Sequence, residues 1–205
     1  MSISIKNIND LEKKYMEKIT DVVTSRRFIK SLQQIERYIQ ANYESIRKYS
    51  AEENKVKVGV ERIIRFYFYT EFDVKNVYPS PLSADLAIEL EDVILNIDAK
   101  TINMITNDGD DNSIHFQKNQ ITFENNPFFK QKIKGYQFSG ATFPPRMNSY
   151  YNNKPILTYF ITINYEDKPN TSTFRLVHMS TCSVPHKDIV RQEYDNDILE
   201  NLKSW

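Results

Sequence analysis

The stretch that decides the fold runs from residue 83 to residue 101 and reads SADLAIELEDVILNIDAKT. Two apolar, β-branched runs, 86–90 and 93–97, flank Glu91 and Asp92, which is the pattern of two strands joined by a tight turn. A turn centred on these two residues pairs positions whose numbers sum to 183, so Asp85 is expected opposite Asp98. The sequence therefore predicts a β-hairpin with two carboxylates facing each other at its open end.

This pair of carboxylates predicts a cation site. Directly opposed residues share a sheet face with Cβ atoms about 4.5 to 5.5 Å apart, so Asp85 and Asp98 would repel each other and one would be driven to bind a proton. Mg²⁺ relieves such repulsion, because it takes oxygen ligands and is commonly held by one or two carboxylates with waters and substrate phosphate. Lys100 lies two residues beyond Asp98 and shares its face, which adds an ammonium group to the same patch.

The charge distribution favours a phosphodiester substrate. The 205 residues include 27 Lys+Arg and 27 Asp+Glu, which argues against a uniformly basic nucleic-acid binder. Residues 71–115 nevertheless hold ten acidic and two basic residues, whereas both flanking segments are net basic. Basic flanks attract a phosphate backbone while the acidic centre retains the metal ion. The alternative is an acidic solvated loop, to which Asp108, Asp110 and Asp111 contribute.

Other features of the composition predict a soluble, cytoplasmic protein. No apolar run approaches the roughly 20 residues needed to span a bilayer, and the N-terminal residues lack the hydrophobic core of a signal peptide. The single Cys182 has no partner for an internal disulfide.

Three amphipathic helices are expected before the hairpin. Apolar residues at helical spacing predict one helix over 9–24 and a second, capped by Ser25, through about residue 48. A capping box at 50–53 predicts a third helix that ends near Phe72. The first two helices could pack on the sheet or supply a dimer face, and the sequence leaves this choice open.

Glu61 interrupts the apolar start of the third helix. Taken alone, it reads as a partly exposed residue paired with Arg62 or Arg65. Its place upstream of the paired aspartates makes it a candidate third carboxylate.

Residues 125–154 read as a long loop, and a long loop in a compact domain is usually functional or disordered. Its side chains are of the types that contact base edges and phosphates. The candidate DNA contacts are Gln120, which precedes this loop, and Arg146, Asn148, Tyr150, Asn152, Asn153 and Lys154 within it. Alternatively, the tyrosines pack and the asparagines form turns.

The remainder of the chain predicts more strands and a helix. A short strand is expected over 121–124, a buried central strand over 155–165, a further strand over 173–179 and a last helix over about 187–202.

The pattern Asp85…Asp98-Ala99-Lys100 resembles the motif of the PD-(D/E)xK nuclease superfamily, particularly its type II restriction endonucleases. The helix with Val58-Gly59-Val60-Glu61 looks like the upstream helix that often donates another active-site Glu in that superfamily. Ala84 occupies the position before Asp85 at which the PD-(D/E)xK motif has a proline.

The resemblance implies an α/β fold with a central mixed sheet flanked by helices, and Mg²⁺-dependent cutting of double-stranded DNA. Asp85, Asp98 and the Ala99 carbonyl would bind the metal, Lys100 would orient or help deprotonate the attacking water, and Glu61 would hold a water or a second metal. One domain over 1–205 is expected, with a helical region at 1–50 and the catalytic core and recognition loops at 51–205. Symmetric cutting of both strands implies a homodimer.

Two other functions remain open at this point. One is a structure-selective repair or recombination nuclease of the same superfamily. The other is a non-catalytic DNA-binding or assembly protein that retains the fold.

Overall fold

The computed structural model describes residues 5–49, 56–78, 85–105, 131–133, 136–138, 148–184, 186 and 188–189. The helices in these ranges are α1 (Ile5–Thr24), α2 (Arg26–Ala41), α3 (Tyr43–Tyr49) and α4 (Lys57–Glu71). The strands are β1 (Asn76–Tyr78), β2 (Leu86–Glu89), β3 (Ile94–Asn103), β4 (Gln131–Ile133), β5 (Tyr136–Phe138), β6 (Tyr150–Tyr151), β7 (Lys154–Lys168) and β8 (Thr173–Val184).

The predicted hairpin is confirmed, with its register. β2 and β3 are antiparallel and pair from Leu86↔Ile97 to Glu89↔Ile94, so the pairs sum to 183 as expected. The amide of Leu90 donates to the Val93 carbonyl over 2.8 Å and closes the turn. β3 is longer than predicted, because it continues to Asn103 as the parallel partner of β7.

The described strands form a mixed sheet in the order β1-β2-β3-β7-β6, with β8 also paired to β7. β3 and β7 are parallel, and the other neighbours in this sheet are antiparallel. The predicted central strand is β7, whose residues from Pro155 to Ile163 are all buried. A strand buried on both faces needs apolar residues at successive positions, which explains its unbroken apolar run.

The helices pack on one face of this sheet, which was one of the two arrangements that the sequence left open. A continuous core joins α1, α2 and α4 to the sheet, and its largest fully buried side chains include Phe28, Phe68, Ile19, Ile64, Leu95 and Tyr159. Alternate strand residues point the other way. Asn96, Asp98, Thr158 and Phe160 therefore lie on the face opposite the helices, where they are also buried.

Two helix boundaries differ from the prediction. α1 begins at Ile5 rather than near residue 9, and the second predicted helix is divided at Asn42. Asn42 has φ of −114° and ψ of 21°, outside the helical range, and its side chain donates to the Tyr38 carbonyl over 2.8 Å, a local bond typical of Asn at a helix end. The predicted Ser25 cap is confirmed, since its hydroxyl accepts the Phe28 amide over 3.2 Å. The predicted capping box lies outside the described residues.

The segment after β3 holds more strand than the sequence indicated. The predicted long loop over 125–154 contains β4 and β5, which pair with each other, and β6. β1 was not predicted at all. The expected strand over 121–124 and most of the helix over 187–202 lie outside the described residues, and 188–189 are helical.

The outer side of β8 is covered by side chains of α2. The Gln40 side chain accepts the Phe174 amide over 2.7 Å, and the Glu36 carboxylate accepts the Leu176 amide over 2.9 Å. The pairing with β7 shifts at the next position, since Tyr165 pairs with Leu176 and Asn164 with His178. Val177 is therefore an extra residue in β8, which is a β-bulge.

In the described residues, no helix is long and apolar enough to cross a membrane.

Candidate active site

Asp85 lies at the open end of the hairpin and is attached to β3 by two bonds. Its amide donates to the Ile97 carbonyl over 3.1 Å. Its Oδ2 accepts the Ala99 amide over 2.6 Å. The Asp85 side chain therefore continues the pairing of β2 with β3 one step beyond the last backbone pair, Leu86 with Ile97. This bond fixes the Asp85 carboxylate beside residues 98–100.

Asp98 and Lys100 form a buried ion pair on the face opposite the helices. Lys100 Nζ lies 2.8 Å from Asp98 Oδ2, and the two side chains are 15% and 5% exposed. Apart from this ion pair, the buried Asp98 Oδ2 has no hydrogen-bond partner among the described residues. Lys100 Nζ also lies 5.6 Å from the centre of the Phe160 ring. A charged oxygen left without a hydrogen bond in a buried place is a group that a cation would stabilise.

The ionisation of Asp98 reflects burial and two neighbours. Burial raises the pKa of this carboxyl to about 6, the adjacent Lys100 opposes the rise, and the negative charge of Asp85 adds to it. Asp85 and Asp98 thus repel each other, as the hairpin register predicted.

Glu61 reaches the same group of carboxylates from α4. Burial raises the pKa of Glu61, and the charge of Asp85 raises it further, while Lys57 and Arg65 act to lower it. Lys57 Nζ lies 3.8 Å from the Glu61 carboxylate, one helical turn away. The charge of Asp85 therefore raises the pKa of both Glu61 and Asp98.

The oxygen atoms at this position suit a hard divalent cation such as Mg²⁺. In the described ranges, no group of three His, Cys, Asp or Glu side chains is arranged to hold a metal by itself. A backbone carbonyl oxygen can add a further metal ligand to the carboxylates. The N–H and C=O groups of one strand residue point to the same side of the strand. The Ala99 amide points to Asp85, so the Ala99 carbonyl is directed to that side as well. Two carboxylates with one carbonyl fit the way Mg²⁺ is usually held, with water and phosphate supplying the other ligands.

Among the residues that the structure describes, the predicted DNA contacts are not gathered at these carboxylates. Gln120 and Arg146 lie outside the described residues, Asn148 is exposed, and the Tyr150 hydroxyl donates to Asp188.

The other three predicted contacts lie at the turn end of the hairpin. Asn152 and Asn153 form the β6–β7 turn with φ of 49° and 60°. Lys154 Nζ lies 2.7 Å from Glu89 and donates to the Leu90 carbonyl. These three residues line an open cavity with Lys14 and Asp92, about 20 Å along β3 from Asp98 at the usual rise per residue.

Arg65 is a residue of this site that the sequence did not single out as a contact of Asp85. Its Nε and Nη2 donate to the Asp85 carbonyl over 3.2 and 2.8 Å. The two residues are 20 positions apart in different elements, so no local pattern marks the contact.

Two solved structures have a similar fold. The restriction endonuclease BglI bound to its DNA recognition sequence aligns with a TM-score of 0.64 and 13% identity, over 91% of this chain and 76% of its own. The tetrameric restriction endonuclease SfiI bound to cognate DNA aligns with a TM-score of 0.59 and 15% identity, over 96% of this chain and 71% of its own. The chain therefore has the fold of the restriction endonucleases.

The family described as type II restriction enzyme MwoI, N-terminal domain, matches residues 4–170. The chain belongs to this family. The matched range includes Glu61, Asp85, Asp98 and Lys100. No curated protein matches the chain. The resemblance and the fold class predicted from the sequence are confirmed.

Proposed function

We propose that the protein is a site-specific endonuclease that hydrolyses phosphodiester bonds of double-stranded DNA with Mg²⁺, acting as a homodimer inside the cell. The bond from the Ala99 amide to the Asp85 carboxylate carries this proposal, because it places Asp85 beside Asp98 and Lys100. Membership of a type II restriction enzyme family supports the same activity. We infer that residues 1–205 form one nuclease domain.

The proposed roles follow from the chemistry of the side chains. Asp85, Asp98 and the Ala99 carbonyl would hold the metal, which lowers the pKa of a bound water and stabilises charge on the phosphate. Lys100 Nζ donates hydrogen bonds and carries a positive charge, so it would orient the attacking water or help to deprotonate it. Glu61 accepts a hydrogen bond from a further water, or supplies a ligand for a second metal. The burial of Asp98 keeps bulk solvent from competing for these contacts.

The test is a digest of phage DNA with Mg²⁺ and with EDTA. We expect discrete fragments that depend on the metal, and sequencing of their ends reports the recognition site and the stagger of the cut. Intact DNA across many sequences and divalent ions would contradict the proposal. Cutting of branched or damaged DNA without a fixed sequence would instead indicate a structure-selective nuclease.

Lys100→Ala is the decisive variant, and the chain supplies a matched control. Asp73-Val74-Lys75 is also an acidic-x-Lys sequence, and Lys75 Nζ lies 2.7 Å from Asp73 in an exposed ion pair. We expect Lys100→Ala to reduce the cleavage rate by at least about a hundredfold, the lower range for loss of a proton-transfer group, and Lys75→Ala to leave it unchanged. Equal cleavage rates for both variants would exclude chemistry that depends on Lys100. DNA binding without cleavage by the wild-type protein would instead indicate a non-catalytic DNA-binding or assembly protein.

A further inference from the structure

Arg65 connects the helix that carries Glu61 to Asp85, the residue just before β2. It lies on α4 one turn after Glu61, and two of its N–H groups converge on one acceptor, the Asp85 carbonyl. The Asp85 amide and carboxylate are bound to β3. Asp85 is therefore held from β3 through two groups and from α4 through the third.

The two donors give this contact a defined geometry. A guanidinium is planar and rigid, so two bonds to one oxygen restrict both the distance and the direction of the acceptor. Arg65 is also exposed, and its substitution does not open a cavity in the core. Its contact with the site is thus separable from the packing of α4, which rests on Val60, Ile64, Tyr67 and Phe68.

The geometry points to Arg65 as a positioning residue that holds the Asp85 carbonyl to α4 and so sets the placement of the Asp85 carboxylate relative to Glu61 and Asp98. This inference rests on the proposed nuclease function where it concerns metal binding and cleavage. The attachment of Asp85 itself can be measured in the protein alone.

The variants are Arg65→Ala and Arg65→Lys, and the control is Arg62→Ala. Arg62 is exposed on the same helix, and within the described contacts it makes no bond to the Asp85 carbonyl. Lysine keeps the positive charge but not the rigid pair of donors, so Arg65→Lys is expected to restore the wild-type properties in part. It also provides a test if Arg65→Ala does not fold.

The first measurement is amide hydrogen exchange without metal or DNA. Because Asp85 accepts the Ala99 amide, loosening of Asp85 exposes that amide to exchange. We expect Arg65→Ala to accelerate exchange at Ala99 by at least about threefold and Arg62→Ala to leave it unchanged. Equal exchange in the two variants would overturn the inference whatever the protein's activity.

The second measurement is Mg²⁺ binding by titration calorimetry, with cleavage rates alongside. Residues that orient metal ligands typically affect affinity or activity by about 10- to 100-fold, so we expect Arg65→Ala to weaken Mg²⁺ binding by about tenfold or more. A wild-type protein that binds Mg²⁺ and cuts DNA, with Arg65→Ala equal to Arg62→Ala, would overturn the positioning role alone. A wild-type protein that neither binds Mg²⁺ nor cuts would overturn the proposed function, and with it the metal-related part of this inference.

Discussion

Substitution of Asp98 by Asn is expected to stabilise the metal-free protein at neutral pH. Burial and Asp85 raise the pKa of Asp98 to about 6 from an ordinary value of 3.8. The folded state therefore binds the Asp98 proton more tightly than the unfolded state does. The contribution of protonated Asp98 to the free energy of unfolding is fully present below pH 3.8, and it is lost as the pH rises through 6.

The size of the effect follows from the shift of the pKa. At about 1.36 kcal/mol per unit, ionisation of Asp98 costs on the order of 3 kcal/mol of unfolding free energy above pH 7. The attraction of Lys100 is already contained in the shifted pKa, so it is not subtracted again. Asparagine resembles the protonated form, and we expect Asp98→Asn to gain about 3 kcal/mol at pH 7.5 and about 1 kcal/mol at pH 4.5.

Urea unfolding in EDTA at these two pH values measures the difference directly. Asp92→Asn is the control with the opposite sign. Burial acts to raise the pKa of Asp92, but the hydrogen bonds from Lys14 and Tyr15 outweigh it and lower the pKa, so loss of this charge destabilises the protein at neutral pH. The reasoning is refuted if Asp98→Asn shows no gain at pH 7.5, or the same gain at both pH values.

Two further substitutions test the local structure around the sheet. Ser25→Ala removes the hydroxyl that accepts the Phe28 amide and should cost about 1 kcal/mol in urea unfolding, whereas Ser25→Asp should cost little; an equal loss in both variants would count against the cap. Asn153→Val places a β-branched residue at φ of 60° and should lower the free energy of unfolding by about 1 to 3 kcal/mol, while Asn153→Gly should be neutral. A lowered melting temperature for the glycine variant would argue against backbone strain as the cause.

The hairpin could be predicted from sequence because its signals are local. Two apolar runs on either side of a two-residue turn fix the pairing, and the pairing places Asp85 and Asp98 at the same end. Glu61 could be named because it interrupts an apolar helix just before the hairpin. The structure brings its carboxylate close enough to Asp85 for the two charges to interact.

Other features depend on contacts between distant parts of the chain. The bond from Arg65 to the Asp85 carbonyl needs α4 to lie beside the residue just before β2, and no spacing in the sequence indicates that. The second helix is divided at Asn42, whose backbone leaves the helical range although the apolar positions of the sequence continue at helical spacing. β1 has three residues, and Val77 among them is exposed, so it lacks the alternation that identifies a strand.

The contacts between α2 and β8 bear on how the protein behaves at high concentration. An uncovered strand at the margin of a sheet offers N–H and C=O groups to another chain and can start aggregation. Gln40 and Glu36 occupy two of those N–H groups, and the bulge at Val177 disturbs the regular spacing that a second strand would need. α2 therefore protects the sheet from edge-to-edge association and also buries one of its faces. A truncation that removes this helix would be expected to self-associate, and would not yield a smaller soluble nuclease core.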